Sequence, residues 1–207
     1  FGTININGTK ISNGDFEMVT YQDDLTIQLL PNANYNLNLL EKIEGQTTTN
    51  VTQLVENDMF VLRNVQDETT IRATFGILQY SLQLTTDFKD NQIQFLVYEN
   101  SSTAPTTSSL FDAGTNLKVQ VSLPADSYAF EGYYVKDGQD FALVSQNIEY
   151  EFQIYAHTTL FVKLKAYVTA RLPVNGTVSI DGVVLQNDLH FACDYEQKID
   201  VLAKPNI

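Results

Sequence analysis

Gly2-Thr3-Ile4-Asn5-Ile6-Asn7-Gly8 returns 174 residues later as Gly176-Thr177-Val178-Ser179-Ile180-Asp181-Gly182. The match runs on without a gap over residues 2–32 and 176–206. It aligns Asn13 with Asn187, Tyr21 with Tyr195, Pro31 with Pro205 and Asn32 with Asn206. Between the identities, Ile4/Val178, Ile11/Leu185, Leu25/Ile199 and Ile27/Val201 keep their apolar character. Identity thus concentrates at turn glycines and at alternating apolar positions, where backbone geometry and the side-chain period constrain residue type. Self-similarity at a fixed spacing marks a repeat architecture.

Within the repeats the apolar period is two. Leu25-Thr26-Ile27-Gln28-Leu29, Tyr35-Asn36-Leu37-Asn38-Leu39, Tyr80-Ser81-Leu82-Gln83-Leu84 and Leu117-Lys118-Val119-Gln120-Val121 all alternate. Phe152-Gln153-Ile154 and Val178-Ser179-Ile180 follow the same rule. Alternation places apolar side chains on one sheet face and polar ones in water, as in half-buried antiparallel strands. Asn-Gly at 7–8, 13–14 and 175–176 and Asp-Gly at 137–138 and 181–182 are turn signals between such runs. Residues 49–54 and 142–146 offer a short helical turn at most. The expected fold is all-β: tandem small antiparallel sheet domains, sandwich-like or β-grasp-like, with little or no helix.

A more diverged copy lies between the two matching stretches. Leu25–Pro31 reappears as Leu117–Pro124, one residue longer, and Pro31–Tyr35 corresponds to Pro124–Tyr128. The closing strand Glu68–Phe75 corresponds to His157–Leu164. The units therefore run over residues 1–76, 77–166 and 167–207. Units 2 and 3 open with a leading strand, Tyr80–Leu84 and Tyr167–Leu172; unit 1 starts directly at Gly2, and unit 3 stops after the Pro205-Asn206 turn. A window cut from a longer tandem array is the simplest account. Half units that complete one another between chains, by strand addition at the edges Gly2–Asn7 and Lys198–Pro205, are the alternative.

These blocks resemble the divergent internalin-B-type B-repeat, also called the Listeria–Bacteroides or bacterial surface repeat. Its opening Gly-Thr-Val-x-Val-x-Gly stands here as residues 2–8 and 176–182. Its second block, Gly-Thr-x-Val followed by Pro-x-x-Gly-Tyr-x-Phe-x-Gly-Trp, stands as Gly114–Val119 and Pro124–Tyr133, with Ser127 in place of glycine and Tyr133 in place of tryptophan. Leu37 and Leu39 occupy the Phe and Gly positions in unit 1. Tyr150–Ile154 and Thr158–Phe161 match the closing block. The resemblance implies a non-enzymatic cell-surface module and carries no catalytic residue. The residues expected to matter are structural: Gly2, Gly8, Pro31, Tyr35, Pro124, Tyr128, Phe130, Tyr133, Gly176, Gly182 and Pro205. Truncating Phe130 to alanine is expected to cost roughly 3–5 kcal/mol.

Composition excludes several functions. Of 207 residues, 43% are hydrophobic, enough for packed cores. A net charge of −13 repels phosphate backbones and argues against nucleic acid as partner. No apolar run approaches the roughly 18–20 residues of a helical membrane span. With Phe1 first and no signal peptide, the chain reads as mature, processed or partial. One cysteine makes no internal disulfide.

The reactive residue types are sparse. His157 reads as an exposed turn residue. His190 and Cys193 are three apart on a predicted strand, hence on opposite faces, and zinc would need further ligands. A Cys193 nucleophile would need a base, and His157 lies in another unit. Asp23-Asp24, Asp87 with Asp90, Asp137 with Asp140, and Glu149 with Glu151 read as solvated charge rather than a glycosidase pair. Asp23-Asp24 or Asp87 with Asp90 leaves calcium open as a ligand, although no calcium-loop motif exists. No catalytic, cofactor or metal site is therefore assigned. Asn7, Asn50, Asn100 and Asn175 head glycosylation sequons. Residues 99–109 and 46–50 read as loops. The expected role is a stalk or adhesin segment of a large extracellular surface protein, with neighbouring repeats as partners. Alternatives are a fibre or sheath subunit joined by strand exchange with other copies, or a module binding a host glycan or protein.

Overall fold

The computed structural model describes residues 1–137 and 140–205, the Asp137 side chain excepted. The Asp-Gly turn at 137–138, the Asp137 carboxylate and Asn206 lie outside the described residues. The chain is all-β and divides into two compact units, Phe1–Gln79 and Tyr80–Ile207. The first division thus falls at residue 79 rather than 76, and residues 167–207 group with the middle repeat.

The first unit contains β1 (Gly2–Ile6), β2 (Thr9–Ile11), β3 (Leu25–Pro31), β4 (Tyr35–Glu44), β5 (Thr47–Asn50), β6 (Met59–Leu62) and β7 (Thr69–Ile77). A single 3-10 turn spans Thr52–Leu54. One sheet runs β2-β1-β3-β6 and the other β5-β4-β7. Their inner faces share one core of Leu25, Ile27, Leu29, Leu40, Phe60 and Leu62. The alternation expected along Leu25–Leu29 is visible in burial: the apolar side chains are buried, while Thr26 is exposed. Residues 47–50, expected as a loop, form strand β5 on β4. Threonine's β-propensity and an available strand edge explain the difference.

In the second unit β8 (Gln79–Thr85), β9 (Gln94–Glu99), β10 (Leu110–Asp112), β11 (Asn116–Ser122), β12 (Tyr128–Asp137), β13 (Asp140–Ser145), β14 (Glu149–Gln153) and β15 (Thr158–Ala170) belong to the middle repeat. β16 (Gly176–Ile180), β17 (Val183–Val184), β18 (Leu189–Cys193) and β19 (Val201–Pro205) belong to the last. Residues 142–146, open to a helical turn from sequence, lie mostly in β13. One sheet runs β10-β8-β15-β12-β13, with β18 also on β15; the others are β14-β11-β9 and β17-β16-β19. The core gathers Leu82, Phe111, Leu117, Val119, Val121, Tyr133, Ile154, Leu160, Val162 and Leu164.

The sequence repeat is a repeat of hydrogen bonds. β1 faces β3 through Gly2↔Pro31, Ile4↔Leu29 and Ile6↔Ile27. β16 faces β19 through Gly176↔Pro205, Val178↔Ala203 and Ile180↔Val201, each residue shifted by the same 174. The turns match as well. The Asn7 N–H donates to Thr26 O, and the Asp181 N–H donates to Asp200 O. Asn7 Oδ1 accepts from the Thr26 N–H, and Asp181 Oδ1 from the Asp200 N–H. Asn7 and Asp181 share φ 48, followed by Gly8 at φ 83 and Gly182 at φ 81. Two successive positive φ values define the two-residue hairpin turn, and glycine is the residue without a steric cost there. Gly2 serves another purpose: a Cβ on it would lie 2.6 Å from the Phe75 ring, which crosses over it.

Candidate functional site

The middle repeat shows what a complete sheet edge looks like. Tyr35 pairs with Ile77 and Tyr128 with Ala166. A β-bulge interrupts both ladders at one place, between Leu37 and Leu39 in β4 and between Phe130 and Gly132 in β12. β4 and β12, and likewise β7 and β15, are therefore equivalent. Along its other edge, β15 carries β8 in parallel, with Leu82↔Thr158 and Leu84↔Leu160. Further along, β15 carries β18 antiparallel, with Ala166↔Cys193 and Ala170↔Leu189.

In the first unit β7 ends its sheet, with β4 as its neighbour. A groove of about 1530 Å³ is lined by residues 12–19, by residues 65–75, and by Ile4, Ile6 and Ile27. Sequence reading placed the unpaired edge at Gly2–Asn7. That placement is corrected: β1 is hydrogen-bonded on both sides, by β2 and by β3. β7 and β19 each end a sheet, and β19 does so at the position where β3 instead receives β6.

The tyrosines expected to be structural are largely internal. Tyr133 is fully buried, and its hydroxyl donates to Ile148 O at 2.8 Å. Burial, with the Glu149 charge adding to it, pushes its phenol far above the usual range. Phe130 packs 5.0 Å from the Tyr133 ring, and Tyr150 lies 5.9 Å away on the other side. Leu40 occupies the Tyr133 position in the first unit and is equally buried. Tyr128 OH donates to Asp90 Oδ2 at 2.8 Å. The Gln92 N–H and then this hydroxyl hold the Asp90 carboxyl below its ordinary value, and the same bond raises the Tyr128 phenol.

The reactive residue types do not gather. His157 Nδ1 accepts the Ser81 N–H at 3.0 Å and lies 2.9 Å from Ser81 Oγ. Nothing in the sequence pointed to this pair, because its members are 76 residues apart. Its geometry ties the leading strand to the start of the closing strand. Nδ1 accepts from a main-chain donor, so the ring acts as a clamp between the two strands. His190 stacks on Tyr167 at 4.6 Å and sits 2.9 Å from Thr169 Oγ, while Cys193 on the same strand is buried. The expected opposite faces are observed. Asp24 accepts from the Asn64 N–H and pairs with Arg63 at 3.4 Å. Glu149 lies 3.9 Å from Lys118, and Glu151 is exposed one alternation further. Among the described residues no three His, Cys, Asp or Glu side chains converge in a metal-binding group. No helix among them is long and apolar enough to cross a membrane.

Glu131, the bulged residue of β12, joins Lys163 at 3.1 Å and Lys165 at 3.9 Å, and Lys165 reaches Asp194 at 3.8 Å. The hydrogen bond to Glu131 raises the Lys163 ammonium above its ordinary value. Phe88 stands edge-on to both Tyr128 and Tyr195, each at 5.2 Å. The Lys165–Asp194 and Phe88–Tyr195 contacts join the last repeat to the middle one. Among the described residues, a concave feature of the first unit is the groove lined by β7. Compared with protein-family models, curated proteins and solved structures, the chain matches none of them.

Proposed function

We propose that the chain is a non-enzymatic structural segment of a large extracellular cell-surface protein, a stalk or adhesin module of the bacterial surface repeat type. The observation that carries this reading is the hairpin of residues 2–31, rebuilt pair for pair at 176–205. Units of this size bury limited core and gain stability by docking against neighbours. The Phe88–Tyr195 and Lys165–Asp194 contacts are of that kind. A net charge of −13 on a mostly neutral polar surface suits an extended array in water. Antibodies raised against the chain test the reading on source cells. Labelling of intact cells is expected; labelling that appears only after permeabilisation refutes a surface role.

A further inference from the structure

The groove beside β7 has an internal template. In the middle repeat the equivalent position is filled by the leading strand β8, parallel to β15. β8 is held on its other side by β10. In the last repeat the leading strand is the tail of β15, residues 166–170, which is held by β18. Shifted back by 174, β18 becomes residues 15–19. In the first unit those residues are not a strand, and Phe16 and Met18 are 82% and 84% exposed. One edge of β7 and one potential strand therefore both lack the same neighbour, and both line the one groove.

We propose that this groove receives the leading strand of another repeat of the same type, parallel to β7 and antiparallel to residues 15–19. The template fixes register and chemistry. Leu82 and Leu84 of β8 oppose Thr158 and Leu160, whose equivalents in the first unit are Thr69 and Ile71. Leu82 is buried in the middle core, and Leu84 packs against it. The incoming strand thus presents two aliphatic side chains, two residues apart, towards Ile4, Ile6 and Ile71. Main-chain hydrogen bonds supply the rest of the affinity, as in other strand additions. A second copy of this chain is a poor donor, because its own leading strands are already hydrogen-bonded within their sheets.

The proposal rests on the tandem-array reading but is tested apart from it. A labelled peptide copying residues 79–85, Gln-Tyr-Ser-Leu-Gln-Leu-Thr, is titrated into the full 207-residue chain. Saturable binding is expected, with hydrogen-exchange protection confined to residues 15–19 and 69–75. Replacing both peptide leucines by aspartate should weaken binding by roughly tenfold or more. A peptide with cysteine in its serine position should form a disulfide with Glu68→Cys and not with Thr74→Cys, both exposed sites. Absence of binding, equal binding of the aspartate peptide, or preferential linkage to Thr74→Cys overturns the proposal. So does self-association of the chain without peptide that protects the same amides, which gives the groove to a second copy. Surface labelling of cells is unaffected by any of these outcomes, so the two readings fail separately.

Discussion

β7 and β15 are the same strand of the same repeat in different surroundings. Both take a bulged partner along one edge, at the same register. β15 then carries β8 and β18 along its other edge, whereas β7 carries none and ends its sheet. The consequence spreads beyond the edge itself. Residues 189–193 are a strand with Cys193 buried, while their counterparts 15–19 are irregular, with Phe16 and Met18 in solvent. An edge strand presents unpaired donors and acceptors, a template for pairing with another strand. The leading strand β8 follows directly on β7 in sequence, as 166–170 follows on 158–165.

The comparison can be broken most severely at the core position the two units share. Tyr133→Ala should cost about 3–5 kcal/mol in urea denaturation, and Leu40→Ala about 2–5 kcal/mol, since both side chains are fully buried. A neutral result at either position would remove the equivalence of β4 and β12. Phe130 is only half-buried, so its truncation should cost less than that of Tyr133.

A second substitution makes the middle repeat resemble the first. Leu82→Ala removes a buried side chain of the leading strand, at about 2–5 kcal/mol. Amides of β8 and of the facing stretch of β15 should then exchange faster, while those of β12 against β15 hold. Uniform acceleration throughout the sheet would show that the leading strand is not a separable element.

Alkaline pH sharpens the contrast between Tyr133 and Leu40. The Tyr133 phenol titrates higher when folded than when unfolded. Its stabilising contribution is complete below the unfolded value of about 10 and is lost as pH rises towards the folded value. Above pH 10 the second unit should lose stability by up to about 1.4 kcal/mol per pH unit from this group. Tyr133→Phe should flatten that slope, and an unchanged slope would assign the alkaline loss elsewhere. The smallest effect concerns Asp90. Tyr128→Phe removes one of the two bonds that lower its carboxyl, so its NMR titration midpoint should move upward. A midpoint that does not move would leave the Gln92 N–H as the sole cause.

Much of the fold was legible because strands write a period of two into their residues. Leu25–Leu29 and Leu117–Val121 alternate in sequence and in burial alike. The hairpin turns were legible because Asn7-Gly8 and Asp181-Gly182 carry the residues that positive φ requires. β5 was missed because Thr47–Asn50 has no apolar member and is exposed throughout. The Ser81–His157 clamp was missed because sequence distance hides it.

Sequence alone determined the β class and the 174-residue recurrence, since each depends on local pattern or on counting residues. Which edges are open was decided by tertiary structure. Gly2–Ile6 has strand character whether or not its flanks are occupied, and only the pairing with β2 and β3 shows that they are. Local pattern encodes which face of a strand is buried; hydrogen bonding to a distant strand decides whether its edge is covered.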